Sequence, residues 1–170
     1  MLRLIRPTSE HETQALDFKE EFFKNNEKII NGSELLDQME NYKDWLVSVT
    51  NNICAETVNP DWVVTDTFFA VDESNRIVGI IDLRHTLNDF LKDFGNCGYS
   101  VRPSDRKKGY ATDMLRQILN VAKDCNMCEL HLSVERDNEP SIKTILANGG
   151  VYERSFVFEG EMADIYKIAL

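Results

Sequence analysis

The stretch Val101-Arg102-Pro103-Ser104-Asp105-Arg106-Lys107-Lys108-Gly109-Tyr110-Ala111-Thr112 decides how the rest of the chain is read. A β-rich run ends at Val101, a basic turn follows, and an amphipathic helix begins near Gly109. The first turn of a helix leaves backbone N–H groups without intrahelical partners and carries partial positive charge, so it suits an anion such as phosphate. Gly109 and Ala111 keep side chains out of the way, which lets a pyrophosphate approach the backbone itself. The order Lys-Lys-Gly does not fit the Gly-Lys-Ser/Thr ending of a nucleoside-triphosphate loop. The dinucleotide pattern needs three glycines where this stretch has one. On these residues alone, a basic surface turn capping an ordinary helix remains an open alternative.

The chain outside this stretch narrows the choice. Its 170 residues suit one domain, 1–170, with a sizeable core. The formal charge of −10 argues against nucleic acid as a partner, so the basic turn reads as a local anion site on an acidic body. No apolar run approaches the roughly 20 residues of a membrane span. Met1-Leu2-Arg3-Leu4-Ile5-Arg6-Pro7 lacks the apolar centre of a signal peptide. A cytoplasmic protein with reduced thiols and no membrane partner is expected. Cys125-Asn126-Met127-Cys128 has C-x-x-C spacing, but it ends a helix rather than starting one and no second pair accompanies it. Cys54, Cys97, Cys125 and Cys128 are read as incidental thiols, and no metal is expected.

In chain order, residues 2–6 read as a short strand stopped by Pro7. Ser9-Glu10-His11-Glu12 has capping-box spacing ahead of a helix whose apolar side is Leu16, Phe18, Phe22 and Phe23. Ser33 is expected to cap a second helix carrying Leu35, Met39, Tyr42, Leu46 and Val49. From Thr67 the period becomes that of strands, with a hairpin over Phe68–Val71 and Arg76–Leu83, and strand resumes at Cys97–Val101. The helix after the basic turn carries Ala111, Met114, Leu115, Ile118, Leu119 and Ala122 on one face. Glu129–Val134 alternates as a strand, Asn138 caps a helix holding Ile142, Ile145 and Leu146, and two closing strands follow Gly149-Gly150.

Arg106-Lys107-Lys108-Gly109-Tyr110-Ala111 resembles the acetyl-CoA signature of the GCN5-related N-acetyltransferases, Arg/Gln-x-x-Gly-x-Gly/Ala, and Val101-Arg102-Pro103 matches the Val-x-Pro that closes the preceding strand. Asp137-Asn138-x-x-Ser141, a helix and Gly149-Gly150 resemble the family's second motif. The likeness is best over residues 67–158 and weak over 1–66, the segment that varies with acceptor. His85-x-Leu87-Asn88-Asp89 and Gly98-Tyr99 look most like a little-characterised bacterial branch. The resemblance implies an α/β fold: a mostly antiparallel central sheet of about seven strands, flanked by about four helices and splayed between the strands before and after the loop. It implies acetyl-CoA as co-substrate. Backbone at Ser100 and Val101 would pair with the pantetheine arm, and N–H groups from Lys107 to Thr112, including Gly109, Tyr110 and Ala111, would hold the pyrophosphate. Arg106, Lys107 and Lys108 would add charge, and Asn138 and Ser141 would lie across the gap. Asn138 fits equally well as a plain helix cap.

Two family features are missing. The tyrosine usually found seven residues after the Asn138 position is Ile145, and the strand Asn96-Cys97-Gly98-Tyr99-Ser100 holds no acid. His85, His131, Glu135 and Tyr99 are the candidate acid–base groups, with the histidines first because imidazole titrates near neutral pH. Tyr110 is a further candidate proton donor to the thiolate, and proton loss to solvent also suffices. Acetyl transfer to a primary amine by direct attack in a ternary complex leads. A non-catalytic acyl-CoA-binding or regulatory module and a protein N-acetyltransferase are the alternatives. Asp82, Asp89, Asp93 and Glu135 point to a small cationic acceptor, with Tyr42 and Trp45 as apolar contacts. A monomer and a homodimer are equally compatible.

Overall fold

The structure is a computed structural model that describes residues 1–170. Seven strands and four helices form two sheets, with every ladder antiparallel. The first sheet runs β1 (Arg3–Ile5), β2 (Thr65–Val71), β3 (Ile77–Arg84), β4 (Tyr99–Val101) in that order. The second contains β5 (Glu129–Glu135), β6 (Val151–Phe158) and β7 (Glu161–Ala169), in the order β5-β7-β6. Helices α1 (Glu12–Lys24) and α2 (Tyr42–Asn51) cover one face, and α3 (Tyr110–Asp124) and α4 (Glu139–Ala147) belong to the other. No helix is long and apolar enough to cross a membrane.

β2 and β3 read as nearly continuous apolar runs because both of their faces are covered. Phe68, Ala70, Val78, Ile81 and Leu83 pack in one core with Met114, Leu115 and Ile118 of α3. Phe69, Val71, Ile77 and Ile80 pack in the other with Phe18, Phe22 and Trp45. In β2 the strand period of two sorts successive side chains into separate cores, and in β3 a bulge, where Ala70 and Val71 pair with Gly79 and Ile77, shifts that alternation by one residue.

Three local expectations change. The capping box before α1 is Thr8 and His11, with the Thr8 N–H donating to His11 Nδ1 at 3.0 Å, and it opens a short 3-10 turn over Ser9–His11. Ala15, Phe18 and Phe22 are the buried residues of α1, whereas Leu16 and Phe23 face outward. The second helix starts at Tyr42 rather than Ser33, and Asn41 Oδ1 caps it by accepting the Lys43 N–H at 2.8 Å. Glu34 and Leu35 have φ of 49° and 71°, a left-handed conformation that no α-helix of L-residues continues. The segment before Asn41 is therefore a loop, and the Ser33 carbonyl accepts the Trp45 indole N–H at 2.8 Å.

The two sheets meet at one point. Gly95 bridges to Leu132, the Asn96 N–H donates to the His131 carbonyl at 2.7 Å, and Asn96 Oδ1 accepts the His131 N–H at 2.9 Å. Gly95 has φ +80°, and a Cβ there would stand 2.4 Å from the His131 carbonyl oxygen. Beyond this junction β4 and β5 separate.

Candidate active site

The basic turn is held from both ends. Pro103–Asp105 forms a 3-10 turn, Lys107 adopts φ 63°, and Gly109 caps α3 with φ +80°. No side chain caps the first turn of α3, so its N–H groups remain open to a ligand. From the far side α1 grips the turn. The buried Arg102 donates through Nε to the Ile77 carbonyl at 2.8 Å and through Nη1 to Asp17 and Glu21 at 2.7 and 2.9 Å. The Ser104 N–H donates to Glu21 Oε1 at 2.8 Å.

The three cations of the turn differ. Arg106 lies over the Phe22 ring and donates to Glu27 at 2.8 Å, and its guanidinium holds the Glu27 carboxyl below the usual range. Lys108 donates to Asp105 at 2.7 Å and does not line the cleft. Lys107 lines the cleft and makes no ion pair.

A cleft of about 830 Å³ runs from this turn along the separation of the sheets. Its lining brings together Tyr99, Ser100, Val101, Arg106, Lys107, Gly109, Tyr110, Ala111, Thr112, Glu135, Asn138 and Ser141. Hydrogen bonds from Asp82 N–H to Gly98 O at 3.1 Å and Arg102 N–H to Val78 O at 2.7 Å set the β3–β4 register. In an antiparallel ladder backbone groups alternate direction, so Ser100 turns its N–H and C=O toward β3 while Tyr99 and Val101 turn theirs toward the gap. The Ser100 backbone expected to pair with a ligand is thus engaged by β3, and Tyr99 and Val101 present theirs to the gap, while the Ser100 hydroxyl donates to the Asn31 carbonyl at 2.8 Å. The Leu170–Cys128 and Arg136–Met162 bonds likewise leave the backbone of Ser133 and Glu135 facing the gap from β5. Two unpaired strand edges face each other, a geometry that receives an extended chain as an added strand.

Tyr99 sends its hydroxyl across the gap to α4, 2.7 Å from Ser141 Oγ and 3.4 Å from the Ser141 carbonyl oxygen. Burial pushes its phenol up, so it stays protonated at neutral pH. Asn138 caps α4 by accepting the Ser141 N–H at 3.3 Å, and Ile145 is buried against the core. The histidines are elsewhere. His85 Nε2 is 2.7 Å from Asp66 Oδ2, and His131 lies between Glu129 and Glu153 at 2.9 and 3.2 Å; neither lines the cleft. Tyr42 and Trp45 are core residues rather than acceptor contacts. Asp93 pairs with Arg154 at 2.7 Å, and neither it nor Asp89 lines the cleft. The lining charges balance, with Glu27, Asp105 and Glu135 against Arg84, Arg106 and Lys107.

Asp82, expected from sequence to face a cationic acceptor, instead belongs to a buried charge cluster behind β4. Asp82 Oδ1 accepts the Gly98 N–H at 2.6 Å, and Arg84 Nη2 stands 3.0 Å from Asp82 Oδ2 and 3.5 Å from Glu34 Oε1. Burial, then the Asp82 charge, pushes the Glu34 carboxyl up to about 9. Glu34 offers no sequence signal because it sits in a loop read as helix, and its partners are distant in the chain. Its folded pKa exceeds the ordinary 4.5, so the native state holds an extra proton across that window. Stability from this group is complete below pH 4.5 and falls as pH rises toward 9. Glu34→Gln is expected to flatten the decline of Tm between pH 5 and pH 9. Thermal melts with the same slope in both proteins would rule out a protonated Glu34.

A helix N-terminus without a side-chain cap, opening onto two unpaired strand edges, is a geometry suited to an extended ligand that carries an anionic group. A family model described as an acetyltransferase (GNAT) domain matches residues 2–151, and the chain belongs to that family of acetyl-CoA-using acyltransferases. Solved structures agree in fold. The microcin C7 self-immunity acetyltransferase MccE, in complex with acetyl-CoA and AMP, superposes with TM-score 0.72 at 14% identity, covering 99% of this chain and 92% of that one. The putative acetyltransferase yncA from Salmonella typhimurium, with acetyl-CoA, gives 0.70 at 12% identity, covering 99% and 93%. The ribosomal-protein-S5-alanine acetyltransferase from Vibrio fischeri gives 0.69 at 18% identity, covering 99% and 91%. A search of curated proteins finds no match.

Proposed function

We propose that this chain transfers the acetyl group of acetyl-CoA to the primary amine of a small acceptor, by direct attack in a ternary complex. The observation that carries this reading is the continuous path from the open first turn of α3, between the backbone edges of Tyr99–Val101 and Ser133–Glu135, to the Tyr99–Ser141 link. Acetyl-CoA supplies a thioester already activated toward amines. The N–H groups of residues 107–112 bind its pyrophosphate, Lys107 adds an unpaired charge, and the Tyr99 and Val101 edge aligns the arm. Holding both reactants in reacting geometry supplies much of the rate, since effective molarities of well-oriented groups reach about 10⁵–10⁸ M. As the C–N bond forms and the C–S bond breaks, the amine proton leaves to solvent, the thiolate takes the phenol proton of Tyr99, and the phenolate regains a proton from solvent before the next turnover. Ser141 orients that phenol, so Tyr99 on β4 does the work of the tyrosine missing at Ile145.

Tyr99→Phe is expected to lower kcat about 10²-fold, the low end for loss of a positioned proton donor, with KM for acetyl-CoA changed less than threefold. An unchanged kcat in steady-state assays would remove Tyr99 from this role.

The acceptor end supports a small amine with an apolar body. Ile29, Phe94, Phe156 and Phe158 line the cleft, and the Gly95–Leu132 junction closes it. Asp89 and Asp93 lie outside the cleft, so acidic steering by them is not part of this reading. Product formation with an aromatic monoamine, a polyamine, an amino acid and N-terminal and lysine peptides tests this. The aromatic amine should have the highest kcat/KM. Preference for a peptide would make the chain a protein acetyltransferase, and acetyl-CoA binding without product from any amine would make it a non-catalytic module.

A further inference from the structure

We propose that Asp66, His85 and Cys125 form a divalent transition-metal site outside the acetyl-CoA cleft, with zinc as its expected occupant. The C-x-x-C stretch has no second pair in sequence, but the fold brings two other ligand types to its first thiol. One carboxylate oxygen, one imidazole nitrogen and one sulfur lie within 4.8 Å of one another. His85 Nε2 is 2.7 Å from Asp66 Oδ2 and 4.0 Å from Cys125 Sγ, so the same ring nitrogen faces both partners. Ligands bound to zinc at about 2.0–2.3 Å in a tetrahedron stand roughly 3.3–3.8 Å apart. The two observed separations, 2.7 and 4.0 Å, bracket that range.

Each ligand is mounted on a fixed element. Asp66 is in β2, paired with Leu83 of β3. His85 directly follows β3, and its N–H donates to the Val64 carbonyl at 2.9 Å, which extends the ladder. Cys125 is the C-cap of α3, with its N–H bonded to the Val121 and Ala122 carbonyls. Asp66 is buried, and His85 and Cys125 are half-buried, so two of the three ligands keep some solvent contact. Arg6 donates to Asp66 Oδ1 at 2.7 Å, leaving Oδ2 for the metal and holding the carboxylate as outer partners of metal ligands do. A mixed oxygen, nitrogen and thiolate set suits borderline-soft zinc better than magnesium or calcium, which take oxygen ligands. On binding, the Cys125 thiol gives up its proton, and a neutral His85 carries its remaining proton on Nδ1. The exposed Cys128 stands outside the cluster. This site is independent of the acetyl-transfer reading.

Cobalt(II) titration of the full-length reduced chain tests the proposal, because a thiolate ligand gives a near-ultraviolet charge-transfer band and a tetrahedral site gives intense visible bands. One cobalt per chain is expected, displaced by one zinc. The bands should be lost in Cys125→Ser and His85→Ala and kept in Cys128→Ser. The unsubstituted chain supplies a second measurement free of folding artefacts. Zinc at one hundred times its Kd should raise Tm by about 5–10 °C. No thiolate band, no rise in Tm with zinc, or bands that survive Cys125→Ser and vanish with Cys128→Ser would each overturn the site.

Discussion

Gly109→Trp is expected to abolish acetyl-CoA binding, by more than about 100-fold in Kd, while the chain stays folded. Gly109 caps α3 with φ +80°, and a Cβ there would meet nothing within 4 Å. Gly109 lines the cleft, so an indole there is expected to obstruct the first-turn N–H groups while leaving the core untouched. The cost to the fold is the left-handed backbone of an L-residue, about 1–2 kcal/mol, or a few degrees in Tm for a chain of this size. A hundredfold loss is about 2.7 kcal/mol of binding free energy. Calorimetry on the folded variant decides the matter, and retained affinity would remove this turn from cofactor binding. The lysines calibrate the same site. Lys107→Ala should weaken binding several-fold in a salt-sensitive way. Lys108→Ala, whose ammonium is turned to Asp105, should change Kd less than twofold.

The largest stability effect is expected at Gly32→Val. Gly32 has φ +73°, and a Cβ would lie 2.2 Å from the Gly98 carbonyl oxygen, 2.4 Å from its carbon and 2.8 Å from the Tyr99 nitrogen. All three are backbone atoms, so no rotamer change relieves the overlap. The loop before α2 must lift from β4, breaking the Ser100–Asn31 hydrogen bond and shifting the strand edge that faces the gap. Overpacking at about 1–3 kcal/mol and left-handed strain at about 1–2 kcal/mol together predict a loss of roughly 2–5 kcal/mol. Tm should fall by on the order of 10 °C, with weaker acetyl-CoA binding in the remaining folded protein. Gly98→Ala tests the contact from the other side, where the nearest atom is the Gly32 nitrogen at 2.8 Å. Melts of either variant within a degree or two of the parent would show that this backbone contact is not tight.

Local pattern made part of this protein legible from its residues alone. The α3 stripe of Met114, Leu115, Ile118 and Ala122, the alternation of Leu130, Leu132 and Val134, and the capping of α4 by Asn138 all depend on near neighbours in sequence, and the structure has each of them. The basic turn ahead of α3 was readable for the same reason, since Gly109 and the helix it starts are adjacent. Tertiary structure decided what depends on distant partners. The segment over residues 33–38 has helical periodicity in its apolar residues, but Glu34 and Leu35 take positive φ where the Ser33 and Glu34 carbonyls accept the Trp45 indole N–H. His85 and His131 look like catalytic candidates by residue type, whereas the fold spends them on Asp66, Glu129 and Glu153. Tyr99 acquires its position from Ser141, forty-two residues away. Helix and strand propensities act over a few residues, but a ligand set, a proton donor or a shifted carboxyl exists only where chain segments remote in sequence converge.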